Sequence, residues 1–125
     1  YLARALGMTT FRSDHDLDSR FGDKPEDLIS WLSFHGQKYT ERFSRNEQIL
    51  LASAGNRHRI NPQKIKTNTA LIGVDSDMMV PPWLIDELAS QLLNFQKFEV
   101  KSPYGHDGWI KETAQVREIL SLLLK

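Results

Sequence analysis

Thr69-Ala70-Leu71-Ile72-Gly73-Val74, followed at once by Asp75-Ser76-Asp77-Met78-Met79-Val80-Pro81-Pro82, is the stretch that decides the fold. A short apolar run with β-branched members, after the turn signal Asn61-Pro62 and Ile65, reads as a buried strand ending near Asp75. Pro81 and Pro82 then open a helix in which Leu84, Ile85, Leu88, Ala89 and Leu92 recur at helical spacing. Phe98-Glu99-Val100-Lys101-Ser102 alternates as a second strand. A last helix is expected from about Gly108, carrying Ile110, Ala114, Val116, Ile119, Leu120, Leu122, Leu123 and Leu124. Strand, helix, strand, helix in this order predicts an α/β fold with a parallel sheet and crossover helices.

Upstream the grammar differs, and residues 1–60 read as a helical lid segment set against the α/β core of residues 61–125. Leu2, Ala5, Leu6 and Thr9 recur at helical spacing before Arg12–Pro25, a turn-prone stretch that breaks the pattern. Pro25 suits a first helical position, and Leu28, Trp31, Leu32, His35 and Tyr39 share one face of the helix it opens, weakened by Gly36. Ser44 and Glu47 form a capping-box signature ahead of Ile49-Leu50-Leu51-Ala52, with Gly55 as the expected stop. Such helices suit an insertion over a site or a subunit contact.

The 125 residues and 40% apolar content fit one domain. Sixteen basic and sixteen acidic residues cancel, which argues against nucleic acid as a partner. There is no cysteine, hence no disulfide or thiol nucleophile, and no apolar run has the length of a signal or membrane helix. A cytoplasmic location is the default expectation. The opening on Tyr1 in place of methionine fits a start inside a longer protein.

In open parallel sheets functional groups collect on loops past the carboxyl ends of the strands. Here one such loop offers Asp75 and Asp77 and the next offers His106, the pairing in which a carboxylate orients an imidazole. The order acid then histidine is that of the α/β-hydrolase triad. A Gly-x-Ser-x-Gly elbow is missing. Its nearest counterpart, Leu51-Ala52-Ser53-Ala54-Gly55, falls inside a capped helix, so Ser53 reads as structural and the nucleophile as lying outside the chain. His15, His35 and His58 lack metal-ligand spacing, and no metal is expected. Trp31, Trp83 and Trp109 read as packing anchors, with Trp109 also suited to wall a pocket, and Met78 and Met79 as pocket or core filler.

Residues 60–92, the motif Ser102–Glu112 and the upstream Ala5–Ser13 together resemble the C-terminal part of the homoserine O-acyltransferases, acetyl- or succinyl-transferring α/β-hydrolase relatives at the start of methionine synthesis. The resemblance implies the C-terminal half of an α/β-hydrolase fold, with Asp77 as orienting acid and His106 as general base; Asp75 is the rival acid. It implies a ping-pong reaction with acetyl-CoA or succinyl-CoA as donor and homoserine or serine as acceptor, no bound cofactor, and a homodimer formed through the helical segment. Asp107 matches a family aspartate that holds the acceptor's amino group, and Arg12 a lid arginine suited to its carboxylate. Departures fall in the helical half, where Arg42-Phe43-Ser44 replaces the commoner Arg-Phe-Asp and Gln48 a frequent aromatic. Two alternatives stay open: an esterase of the same fold, and a catalytically silent, self-associating fragment.

Overall fold

In the computed structural model, which describes residues 1–124, strands β1 (Thr69–Val74) and β2 (Phe95–Val100) pair in parallel, from Thr69 opposite Phe95 to Val74 opposite Val100. Helix α5 (Pro82–Ala89) connects them, as the paired prolines imply. Period-2 alternation divides the apolar side chains between two faces. Leu71 meets Ala89 and Leu92, with Ile65, Ile85 and Leu88 around them. On the other face Val74, the fully buried Val100 and Ile119 of α7 (Thr113–Leu123) pack with Ile72, Phe98 and Val116. Two helices sandwiching a parallel pair is the expected α/β arrangement, and both strands end at the same edge.

The remaining helices are α1 (Leu2–Thr10), α2 (Asp14–Phe21), α3 (Pro25–Arg42), α4 (Arg45–Arg57) and the single turn α6 (Gly108–Lys111). Helix α1 lies on α3 through Gly36, where an added Cβ would stand 2.8 Å from the Tyr1 ring. The residue that weakens α3 locally therefore allows this close approach. Phe21 packs on Trp31 (5.6 Å between centroids) and Trp31 on His35 (4.8 Å), so Trp31 anchors α2 to α3. Helix α4 has the expected capping box but buries none of its residues, and Ile49, Leu50 and Leu51 are exposed.

Several boundaries differ from the sequence reading, each for a local reason. Arg12–Pro25 contains α2 where only a turn is expected: Ser13 accepts a bond from the Asp16 N–H, Asp14 and Asp16 occupy the first turn, and Arg20 the last. Its signal is capping and charge with little apolar periodicity. Helix α4 runs past Gly55 to Arg57, since that glycine faces open space and nothing there stops the helix. Helix α5 ends at Ala89, and Leu92 is buried from the following turn. Strand β2 starts at Phe95 and stops at Val100, because side chains take over the backbone bonds beyond it: Gln115 both donates to and accepts from Lys101, and Asp75 accepts from the Ser102 N–H. The last helix is two, α6 and α7, divided at Glu112. Trp83 (63% exposed) and Trp109 (53%) are not core anchors in this chain, nor are Met78 and Met79 core filler.

Candidate active site

The polar loop after β1 is folded by Asp77. Its Oδ1 accepts the N–H groups of Met79 (2.8 Å) and Val80 (2.9 Å), a local turn closed by the rigid Pro81. That leaves Oδ2 facing the second loop, where it lies 2.8 Å from Nδ1 of His106. Asp77 is buried (6% exposed) and the His106 side chain is partly open (29%). Asp75 points elsewhere: its Oδ1 takes the Ser102 N–H at 3.0 Å and its Oδ2 lies 3.6 Å from Lys101 Nζ. Of the two candidate acids, only Asp77 reaches the imidazole.

Ser76 joins the loops in a way the sequence did not reveal. Its Oγ donates to the Ser102 carbonyl and accepts the Gly105 N–H at 3.0 Å. The histidine then follows in a 3-10 turn, Gly105–Asp107. Gly105 has φ +64° and touches the turn between α1 and α2 so closely that an added Cβ would stand 2.6 Å from the Ser13 nitrogen. We therefore expect Gly105→Ala to destabilise the protein by roughly 1 to 3 kcal/mol, read as a lower denaturation midpoint, because a left-handed backbone and a backbone collision act together. An unchanged midpoint would mean that the two loops are not held by this contact.

The residues between α1 and α2 form the other half of the contact. The Phe11 carbonyl accepts the Asp107 N–H (3.3 Å), Ser13 Oγ donates to the Pro103 carbonyl, and the Phe11 ring lies 5.4 Å from that of His106. Arg12 extends one guanidinium nitrogen to Asp107 (3.0 Å) and another to the buried Asp16 (3.3 Å), to which Arg20 also comes within 3.8 Å. Its Nε is buried with no partner among the described residues. Asp16 and Arg20 are four apart on one face of α2, and Arg12 joins them from the turn just before that helix. That spacing was legible in the sequence; its burial was not.

Thus Asp77, His106, Arg12 and Asp107 come together, although Arg12 and Asp107 face each other. Beside them a cavity of about 320 Å³ is lined by Ile72, Val74, Val80, Ile85 and Trp109 together with the Asp77–His106 pair. Ser53 lies on α4, outside this constellation. Among the described residues no group of three or more histidine and acidic side chains could hold a metal ion, and no helix is long and apolar enough to cross a membrane.

No family model matches the chain. It is similar along 98% of its length to a homoserine O-acetyltransferase of Thermus thermophilus, at 30% identity, and along 95% to one of Nostoc punctiforme, at 33%. This chain is related to the homoserine O-acyltransferases. A homoserine O-succinyltransferase of Xanthomonas campestris is 29% identical over 99% of the chain, so both acyl types occur among the relatives. The chain spans 35% of the Thermus protein's length and 39% of the Nostoc protein's.

Proposed function

We propose that this chain supplies the acid and the general base of a Ser-Asp-His O-acyltransferase that moves an acetyl or succinyl group from acyl-CoA to the hydroxyl of homoserine or serine. The observation that carries the reading is the 2.8 Å contact of Asp77 with Nδ1 of His106 at the carboxyl edge of the parallel strands. With Nδ1 committed to the carboxylate, Nε2 is the nitrogen that takes the proton of a serine hydroxyl as its oxygen attacks the thioester carbonyl. The departing CoA sulfur recovers that proton. In the second half the acceptor hydroxyl gives its proton to Nε2 and attacks the acyl-serine, and the serine oxygen leaves with the proton. The nucleophile belongs to a part of the protein outside this chain, which serves as the C-terminal portion of an α/β-hydrolase fold with residues 1–60 as its lid. The absence of an elbow from these residues and the greater length of the relatives support that division.

The Arg12–Asp107 pair has charges complementary to an amino acid's carboxylate and ammonium, and so favours an amino-acid acceptor over the water of an esterase. The same pair supports a second reading, a latch between lid and core. A homodimer through α4, whose apolar residues are exposed, and a cytoplasmic location complete the proposal. The test is to supply the full-length protein with acetyl-CoA or succinyl-CoA and measure CoA release with and without homoserine and serine. Release stimulated by one of these amino acids, with formation of its O-acyl ester, is the expected result. Equal release without any acceptor would establish hydrolysis and end the transferase reading.

A further inference from the structure

We propose that the groove between α1 and α3 binds the phosphate-bearing adenosine end of the acyl-CoA donor, an assignment that rests on the acyl-CoA reading above. The groove has a volume of about 750 Å³ and is lined by Arg4 from α1 and by His35, Lys38, Tyr39, Arg42 and Phe43 from α3 and its end. Glu41 is the one acidic residue in the lining.

Three features point to an anionic, aromatic ligand. Among the described residues Arg4, Lys38 and Arg42 form no salt bridge. They lie instead over rings: Arg4 over Tyr39 (5.0 Å) and Phe11 (5.5 Å), Lys38 over Phe34 (5.2 Å) and Arg42 over Phe43 (5.2 Å). Stacking orients these cations without neutralising them, so they can take phosphate oxygens. The chain as a whole is neutral, and this concentration of positive charge is therefore local. Its field is visible at His35, whose pKa is lowered first by burial and then by the charges of Arg4 and Lys38. The Tyr39–Phe43 pair, 5.0 Å between centroids, offers ring surface on which a purine can stack.

The groove also lies in the right direction. Arg4 rests on Phe11, and Phe11 rests on His106, so two aromatic contacts lead from the cations to the proposed base. A donor whose thioester carbonyl sits beside His106 would run its flexible arm past Phe11 and deliver its phosphates to the groove.

The test uses the full-length protein with the double substitution Lys38→Glu and Arg42→Glu; both positions are exposed and make no backbone bond through their side chains in the lid. Two donors are compared, acyl-CoA and the phosphate-free acyl thioester of N-acetylcysteamine. The preference for acyl-CoA, as the ratio of kcat/KM values, should fall about tenfold or more, as loss of charge pairing at a binding surface does. Lys38→Arg with Arg42→Lys should restore it. In parallel, calorimetry should detect binding of 3′-phosphoadenosine 5′-phosphate to the unsubstituted protein and at least tenfold weaker binding to the charge-reversed one. An unchanged donor preference would overturn the assignment, as would a phosphate probe that binds both proteins alike or is displaced equally by inorganic phosphate. If neither donor were turned over, the acyltransferase reading would fall, and the calorimetric comparison would still decide whether the groove holds a phosphorylated nucleoside.

Discussion

Asp77→Asn in the full-length protein should lower turnover by as much as ~10⁴-fold, while Asp75→Asn should leave most of it. The reason lies in the two oxygens of Asp77. Oδ1 is engaged by the Met79 and Val80 N–H groups, so an asparagine keeps its carbonyl oxygen there and turns its NH₂ toward His106. An amide that donates to Nδ1 leaves the neutral ring's proton on Nε2. The nitrogen that should remove the nucleophile's proton is then already protonated, and the fold need not change for activity to vanish. Asp75 has no such hold on the ring; its carboxylate braces Ser102 and pairs with Lys101. Steady-state kcat of the two variants, with denaturation midpoints as a control for folding, makes the comparison. A crippled Asp75→Asn beside a nearly silent Asp77→Asn would move the acid to Asp75 and require the Asp107 and Arg12 assignments to be reread.

What the sequence disclosed of the fold was what local rules determine. The TALIGV run and the prolines ahead of α5 act on their own neighbours, and the structure follows them. Helix α2 escaped because its evidence is a serine cap and charged ends, which a search for apolar periodicity passes over. The stop of β2 was not legible because Asp75 and Gln115, remote in sequence from the strand's end, take up its backbone groups. Trp83 and Trp109 illustrate the limit of residue type as a guide to burial, since each is apolar enough for a core and neither lies in one here.

The site divides in the same way. His106 and an acid, Asp75 or Asp77, could be placed on neighbouring loops because strand ends gather functional groups and because the acid precedes the histidine; the preference for Asp77 came with the family resemblance. The supports of that pair could not: Ser76 reaches Gly105 across the gap between loops, and Phe11 meets a ring 95 positions further along the chain. Only the folded chain shows that Phe11 and Ser13 touch the histidine's own turn. Gln48 is a smaller instance, for its amide donates to the Phe43 carbonyl at 2.9 Å and holds the start of α4.

Arg12 and Asp107 provide the second large effect, and they separate substrate capture from latching. Asp107→Ala should raise the acceptor's KM by about 100-fold, the scale expected when one member of a desolvated charge pair is lost, while the rapid release of CoA from the first half-reaction persists. Asp107 is the cleaner position to remove, because the turn between α1 and α2 remains tied to its backbone N–H through Phe11 and to Pro103 through Ser13. Arg12→Ala should show the same kinetic division with an added loss of stability, since Asp16, 3% exposed, keeps only Arg20 at 3.8 Å. The double variant distinguishes the readings. If the pair is only a latch, deleting both partners leaves no unpaired charge at position 107, so the double variant is no less stable than Arg12→Ala, whose loss at Asp16 persists, and acceptor KM returns toward its original value. If the pair receives the amino acid, stability behaves in the same way but acceptor capture does not recover, because neither the carboxylate nor the ammonium has its counterion. Rapid-mixing measurements of CoA release, acceptor KM and denaturation midpoints on the three variants give the answer. An abolished burst with unaltered acceptor KM in Asp107→Ala would remove both residues from the acceptor site.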